Sequence, residues 1–361
     1  MLRFIKISID LMTNVKMKKI IILFASVCFL IGCKKIEFEQ VSTLPITDFD
    51  SNHQIKKEQI ITYLNRLGQS DSLIVGQNIG HADGILNFGH FDNLIKTPGV
   101  LAFDLGYDDY SRDYSELITY IENFYSENGI VTLSFHMPNP YNKKDVKNKA
   151  KFDYKLLYEI GNQTNENFKL LLNNIGNFLQ LLKNKDIIVL VRLFPEVNGG
   201  WFWWGNNKNW ATQNEFNDLW IYTYNYFCKE RQLDNLLFVY CVNYQYSEEL
   251  KPVEYFYPGD EYVDIVGMDY YQNDLDNINQ NNSLTVLSQY NKPLVMCEIG
   301  PSYSMGEFDN LTYLGLTNYS KISYFVAWHS WKKNKWAIED NINSDELMNN
   351  KLIITLDEFN Y

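Results

Sequence analysis

The chain has 361 residues, of which 46% are hydrophobic and 16% aromatic, and its formal net charge is −12 at pH 7. This length accommodates one large α/β barrel or two smaller domains. The negative charge argues against nucleic acid or another polyanion as a partner, and no basic run with interleaved aromatic residues occurs. A neutral ligand is compatible with this charge.

The first 33 residues have the pattern of an export signal. Lys18 and Lys19 follow Met17, the better candidate for the translation start, and precede an apolar segment at 20–30. That segment is about half the length that a membrane-spanning helix needs. The letters LIGC, ending at Cys33, resemble the lipobox of bacterial lipoproteins, in which the cysteine becomes the lipidated first residue. We therefore expect an exported protein that a lipid at Cys33 anchors to a bacterial membrane. An ordinary signal peptide with a chance cysteine is the alternative.

The rest of the chain is predicted to comprise a polar tether at 34–55 and one folded domain at 56–361, located in the periplasm or at the cell surface. Cys228, Cys241 and Cys297 are widely spaced and form no Cys-x-x-Cys or Cys/His cluster. Buried thiols are therefore expected instead of a disulfide framework or a metal site. We expect the protein to be a monomer.

Eight apolar, β-rich segments recur along the chain, separated by amphipathic segments such as 112–129 and 165–184. Nearly continuous apolar strands are typical of a parallel sheet that is buried on both faces. Eight strands with intervening helices predict an α/β fold of the (β/α)8 TIM-barrel type in a single domain. A doubly wound open sheet is the alternative, but no Gly-rich phosphate loop follows the first strand. The predicted strands are 72–80, 99–107, 129–137, 186–194, 235–243, 262–271, 292–300 and 323–331.

A polar residue is predicted at the end of every strand, where the loops of a barrel form one shared cleft. Each residue singly has a structural explanation, such as capping a loop or filling the core. Together they predict a functional rim formed by His81, Asp104, His136, Glu196, Asn243, Asp269 with Tyr271, Glu298 and His329.

Two glutamates end strands that face each other across the predicted barrel, Glu196 on the fourth strand and Glu298 on the seventh. Glycoside hydrolysis requires two such carboxyl groups, one to protonate the leaving oxygen and one to attack or to activate water. Phe194 and Trp201 near Glu196 predict desolvation and a raised pKa, which suits the acid. Glu298 is the predicted ionised partner.

Four aromatic residues follow Glu196 directly, in the run RLFPEVNGGWFWWG. Tryptophan faces stack on sugar rings, so we assign Trp201 and, second to it, Trp204 to substrate contact. Phe202 and Trp203 are expected to pack in the core. The position of Arg192 is more consistent with a buried cation that pairs with a carboxylate than with a ligand for the substrate.

This run resembles the acid/base segment of glycoside hydrolase family 26, the β-mannanases, whose pattern is Arg-x-x-His-Glu-x-Asn-Gly-x-Trp-Phe-Trp-Trp-Gly. The runs YPGDEYVDIVGMDYY and KPLVMCEIG are similar to its sixth-strand and nucleophile segments, so the resemblance covers about 70–331. It implies a retaining β-glycanase without a cofactor, with Glu196 as acid/base and Glu298 as nucleophile. The substrate residues that we assign are His136, Trp201, Trp204, Tyr271, Trp328, Asn198, Arg192 and Asp269.

The implied substrates are β-1,4-linked mannan, glucomannan or galactomannan. β-1,3-Xylan or mixed-linkage β-glucan is an alternative substrate, and a glycan-binding surface lipoprotein without turnover is an alternative function. The chain departs from the family pattern at Pro195, where the family usually has histidine. A missing hydrogen bond to the sugar would cost about 1–3 kcal/mol, or about ten- to a hundredfold in rate.

Overall fold

The computed structural model describes residues 51–81, 86–105, 113–148, 150–205 and 211–359. The chain divides into a unit at Met1–Phe49 and a compact unit at Asp50–Tyr361. The predicted export signal, Cys33 and most of the predicted tether lie outside the described residues. The fold described below is that of the second unit.

Eight parallel strands close into a barrel, because β1 pairs with both β2 and β8. This confirms the predicted (β/α)8 barrel and all eight predicted strands. A ninth strand of two residues, which was not predicted, pairs with the start of β1. The strands are β1 Leu73–His81, β2 Val100–Asp104, β3 Ile130–Ser134, β4 Val189–Arg192, β5 Leu236–Asn243, β6 Ile265–Tyr271, β7 Leu294–Gly300, β8 Ile322–Ala327 and β9 Ile353–Ile354.

Helices and short 3-10 turns connect the strands. The helix between β3 and β4 is the longest, and it begins where the Asn162 side chain accepts a hydrogen bond from the backbone N–H of Asn165. Within the described ranges, no helix combines the length and the hydrophobicity needed to cross a membrane. The helices are α1 Ser51–Leu67, α2 Gly89–Asp92, α3 Ser115–Ser126, α4 Gln163–Lys183, α5 Gln213–Asn225, α6 Ser283–Leu287 and α7 Ser344–Met348.

Two apolar layers hold the barrel together. One lies between the strands and the outer helices. The other fills the barrel interior with alternate residues, such as Leu190 of β4 and Ile188 just before it, and includes Tyr63 and Leu64 of α1. Helix α1 therefore closes the end of the barrel at which the strands begin. The predicted domain boundary at residue 56 lies inside this helix, so the folded part begins about one turn earlier than predicted.

Candidate active site

The strand ends bring the predicted polar residues to one rim of the barrel. Asn243 of β5 lies level with Asp269 of β6, and Asp269 lies level with Glu298 of β7. Glu196 follows β4 and contacts Asn243 through its side chain. These contacts connect four of the predicted rim residues at one end of the barrel.

Glu196 lies in a turn with left-handed backbone angles, φ 53° and ψ 35°. This conformation costs a residue other than glycine about 1–2 kcal/mol, which the surrounding contacts offset. The backbone N–H of Glu196 donates to the carbonyl of Cys241 at 3.1 Å. The turn places Oε1 of Glu196 at 2.8 Å from Nδ2 of Asn243 and Oε2 at 2.7 Å from Nε1 of Trp201. Two side-chain donors therefore fix the orientation of this carboxyl group.

The pKa of Glu196 is raised, mainly because burial disfavours the carboxylate and also because the charge of Glu298 repels it. The hydrogen bonds from Asn243 and Trp201 act in the opposite direction, since they stabilise the anion. The net direction agrees with the prediction from the surrounding aromatic residues. A carboxyl group with a raised pKa is suited to donate a proton and later to accept one.

Glu298 lies in a different environment, close to a cation. Its Oε2 accepts a hydrogen bond from the hydroxyl of Tyr271 at 2.8 Å, and its Oε1 lies 2.7 Å from Nη1 of Arg192. Burial and the charge of Glu298 raise the pKa of Tyr271 far above its usual value, so this phenol keeps its proton and remains a donor. The guanidinium and the phenol each contact one oxygen of Glu298 and thereby fix the orientation of its carboxyl group. Tyr270, the neighbouring candidate, is fully buried and points to the opposite face of β6.

Arg192 and Asp269, two of the predicted substrate-contact residues, are both buried. Arg192 is 4% exposed and Asp269 is inaccessible, and they form an ion pair at 2.8 Å. Arg192 therefore lies beneath the site and bridges Asp269 to Glu298.

Asn198 and Trp204 were also assigned to substrate contact, and both are completely buried. The side chain of Asn198 donates to the carbonyl of Asn243 at 2.7 Å and accepts from its backbone N–H at 2.8 Å. The indole of Trp204 donates to the carbonyl of Pro195 at 2.8 Å. These residues anchor the loop that carries Glu196, so a sugar does not reach them. Trp201 is partly exposed and remains a candidate for substrate contact.

His136 follows β3 and forms a buried ion pair with Asp104 of β2. The hydroxyl of Ser134 also donates to Asp104, at 2.6 Å. Burial opposes protonation of His136, but the charge of Asp104 outweighs it and raises the pKa of this histidine. Conversely, burial opposes ionisation of Asp104, and His136 nevertheless lowers its pKa far below the usual value. His136 is thereby fixed as a hydrogen-bond donor at the rim.

Trp328 and His329 follow β8 on the side of the rim next to β1. The rings of Trp328 and His81 are 6.1 Å apart, and Nδ1 of His329 lies 2.9 Å from Oδ1 of Asn78. Burial, followed by the charge of His81, lowers the pKa of His329 to about 3, so this histidine is neutral. Trp328 is 9% exposed.

The sequence patterns missed one contact and one residue near the glutamates. Asn243 is part of the predicted rim, but its hydrogen bond to the carboxyl group of Glu196 was not predicted. Trp336 was not identified, and its ring lies 6.2 Å from that of Tyr271, which contacts the nucleophile candidate. Trp336 lies in the long loop after β8 and not at the end of a strand. The strand pattern of the sequence therefore does not identify it as a site residue.

Two groups of side chains in the described part of the chain have the spacing of metal ligands. In the group that contains Cys241 and Asp269, Asp269 already pairs with Arg192, and burial raises the pKa of the Cys241 thiol well above its usual value. In the group that contains Asp340, this aspartate pairs with Lys335 at 2.7 Å. Neither group therefore supports a metal proposal. The groups are Cys241, Asp269 and Cys297, and His90, Glu339 and Asp340.

Comparison with known proteins gives consistent matches. Residues 49–358 match the model of glycosyl hydrolase family 26. Mannan endo-1,4-beta-mannosidase A and B of Caldalkalibacillus mannanilyticus is 32% identical over 284 residues, which cover 74% of this chain and 53% of that protein. Mannan endo-1,4-beta-mannosidase of Bacillus subtilis is 32% identical over 229 residues, covering 61% and 60%. The chain thus spans just over half the length of these two relatives.

The structure of Bacillus subtilis mannanase BCman superimposes with a TM-score of 0.73 at 25% identity and covers 85% of this chain and 94% of that chain. The chain belongs to glycosyl hydrolase family 26.

Proposed function

We propose that the protein is a retaining endo-β-1,4-mannanase that cleaves mannan, glucomannan or galactomannan. The observation that carries this proposal is the pair of glutamates at one rim, held by different neighbours. Burial raises the pKa of Glu196 and favours its protonated form, whereas Glu298 contacts the guanidinium of Arg192 and the hydroxyl of Tyr271. The names of the relatives support mannan as the substrate.

The proposed reaction has two displacement steps. In the first, the carboxylate of Glu298 attacks the anomeric carbon while Glu196 donates its proton to the glycosidic oxygen, and the carbon–oxygen bond breaks. In the second, the Glu196 carboxylate removes a proton from water, which attacks the same carbon and releases Glu298. The product keeps the β configuration, and Glu196 recovers its proton.

Four partly accessible or rim-lining residues are proposed to contact the sugar. Trp201 has an indole N–H that already donates to Glu196, so its ring lies beside the bond to be cleaved. The hydroxyl of Tyr271 likewise donates a hydrogen bond to Glu298, so its ring also lies beside this bond. His136 follows β3 and Trp328 follows β8, and both are proposed to bind the sugars on the non-reducing side.

A substrate panel tests the proposal. Soluble β-1,4-mannan, β-1,3-xylan and mixed-linkage β-glucan are incubated with the wild type and with Glu298→Ala, and reducing sugars are measured. We expect release from mannan by the wild type and at least a 10³-fold lower rate for the variant, because the covalent step requires the nucleophile. Release from xylan or glucan alone would reassign the substrate. Binding without any product would favour a glycan-binding protein, the alternative that Pro195 supports.

We also propose that the chain is exported and lipid-anchored through Cys33, and that it acts as a monomer. The LIGC sequence after an apolar segment supports the anchor. In a bacterial host, the wild type should partition with membranes and carry a lipid mass on Cys33, whereas Cys33→Ala should not. Equal partitioning of both proteins would contradict the anchor without affecting the proposed hydrolysis.

A further inference from the structure

The thiol of Cys241 is a buried group that the proposed reaction does not use, and it lies next to the ion pair beneath the site. Cys241 belongs to β5 and is 2% exposed. Strand β5 lies between β4 and β6 in the barrel. Arg192 ends β4, and Asp269 lies on β6. The thiol is therefore placed between the strands that carry the two members of the ion pair.

Three hydrogen bonds join Cys241, Arg192 and Asp269 in a closed ring. Nη2 of Arg192 donates to Oδ2 of Asp269 at 2.8 Å and to Sγ of Cys241 at 3.4 Å. The thiol in turn donates to Oδ1 of Asp269 at 3.2 Å. Nη2 carries two hydrogens, so it forms both of its bonds at the same time. The ring therefore holds the guanidinium through two different neighbours.

The thiol is suited to this position by its protonation and by the space around it. Burial raises the pKa of Cys241 well above its usual value, so the thiol keeps the proton that it donates. Gly267 of β6 pairs with Cys241, and a Cβ at this glycine would lie 2.3 Å from Sγ of Cys297. The sulfur of Cys297 fills this space and lies within 4.8 Å of the Cys241 thiol. Such close packing restricts movement of the ring.

The guanidinium that belongs to this ring also contacts the nucleophile of the proposed reaction. Nη1 of Arg192 lies 2.7 Å from Oε1 of Glu298. A guanidinium group is planar and rigid, so a restraint on Nη2 is also a restraint on Nη1. A displacement of about 1 Å at a reacting group costs about 10²-fold in rate. The orientation of Arg192 is therefore important for the attack by Glu298.

Cys241 also contacts the segment that carries the acid, through its backbone. Its carbonyl accepts the backbone N–H of Glu196 at 3.1 Å. This hydrogen bond does not involve the sulfur and persists when the side chain is replaced. A substitution at Cys241 therefore tests the contribution of the thiol alone.

We propose that Cys241 is a positioning residue for hydrolysis, whose thiol fixes the guanidinium of Arg192 in the orientation that holds Glu298 for attack on the anomeric carbon. The thiol is buried and acts through Arg192, without contact to the sugar. This inference rests on the proposed hydrolytic function and deepens it, because it makes the rate depend on a side chain outside the cleft.

Steady-state kinetics on mannohexaose test the proposal. Cys241→Ala removes both thiol hydrogen bonds and should lower kcat about tenfold while KM stays within about twofold, because the bound substrate meets a misplaced nucleophile. Cys241→Ser keeps a donor and an acceptor and should retain kcat within about threefold of the wild type. Cys228→Ala removes a partly buried thiol in the turn after α5, and this matched control should keep both constants.

If Cys241→Ala does not fold, Cys241→Val replaces it with the same expected loss, since valine fills the space and has no hydrogen-bonding group. A wild-type kcat in the folded variant would overturn the inference. Equal losses in the alanine and serine variants would also overturn it, because they would indicate packing and not hydrogen bonding.

An inactive wild type would contradict the proposed function instead. In that case crystal structures of the wild type and Cys241→Ala decide on the positioning. Loss of the contact between Arg192 and Glu298 in the variant supports the proposal, and an unchanged contact overturns it.

Discussion

Two opposing influences set the protonation of Glu196. Burial and Glu298 raise its pKa, whereas the hydrogen bonds from Trp201 and Asn243 lower it. Because the acid must be protonated to act, activity should fall as the pH rises through this pKa. The decline of kcat/KM at alkaline pH (the alkaline limb of the pH profile) therefore reports the pKa of Glu196.

Replacing Trp201 by phenylalanine removes one donor that stabilises the anion. The pKa of Glu196 should rise further, and the alkaline limb should move up by about 0.5–1 pH unit. The pH dependence of kcat/KM on a soluble mannan measures this shift. Phe202→Leu, which trims a neighbouring buried ring that does not bond to Glu196, is the control and should leave the limb in place. A limb that stays or moves down in Trp201→Phe would contradict this assignment.

Pro195 precedes the acid, and its carbonyl accepts the indole N–H of Trp204. Pro195→His keeps this backbone carbonyl and adds an imidazole donor at the position where the family pattern has one. We expect a rate increase on mannan of about ten- to a hundredfold, with Pro195→Ala giving no increase. Initial rates at saturating mannan measure the effect. A folded Pro195→His with the wild-type rate would show that the missing histidine does not limit turnover.

At the scale of the strands, the sequence patterns predicted the eight strands and placed the two glutamates at strand ends. They did not predict how deeply each side chain is buried in the barrel. Side chains at i and i+2 share a face of a strand, so one can cover the other. On β6, Asp269 is inaccessible, whereas Tyr271, two residues further along the same face, is only partly buried. On β7, Glu298 is 5% exposed, and Gly300 lies on the same face. Predicting which side chains are covered requires the register of neighbouring strands, and not only the alternation of side chains along one strand.

Helix α1 was not predicted, and the predicted start of the folded domain at residue 56 lies inside it, because the exposed face of the helix and the tether before it are both polar. Leu64 of α1 is completely buried at the base of the barrel. Leu64→Ala should lower the free energy of unfolding by about 2–5 kcal/mol, since it leaves a cavity. Urea unfolding measures the loss. Ile55→Ala, at a residue of the same helix that is 54% exposed, should cost far less. Equal costs for the two variants would contradict the described packing of α1.

At the scale of the whole molecule, Arg192 joins three strands beneath the site. It bridges Asp269 of β6 and Glu298 of β7 from its own position on β4. Arg192→Met would leave two buried carboxyl groups without their cation. We expect it to lower the free energy of unfolding by about 3–5 kcal/mol at pH 7 and to abolish activity. Urea unfolding tests this, with the exposed Lys333→Met as control. A fully stable Arg192→Met would show that the ion pairs do not hold the strands.

The stereochemistry of hydrolysis tests the central claim most directly, because the pair of glutamates must act by double displacement for the account to hold. Proton NMR of wild-type protein with manno-oligosaccharide follows the anomeric signal before mutarotation. The account predicts that the β anomer appears first and that the α anomer grows only later. Initial formation of the α anomer would contradict Glu298 as the nucleophile and, with it, the proposed mechanism.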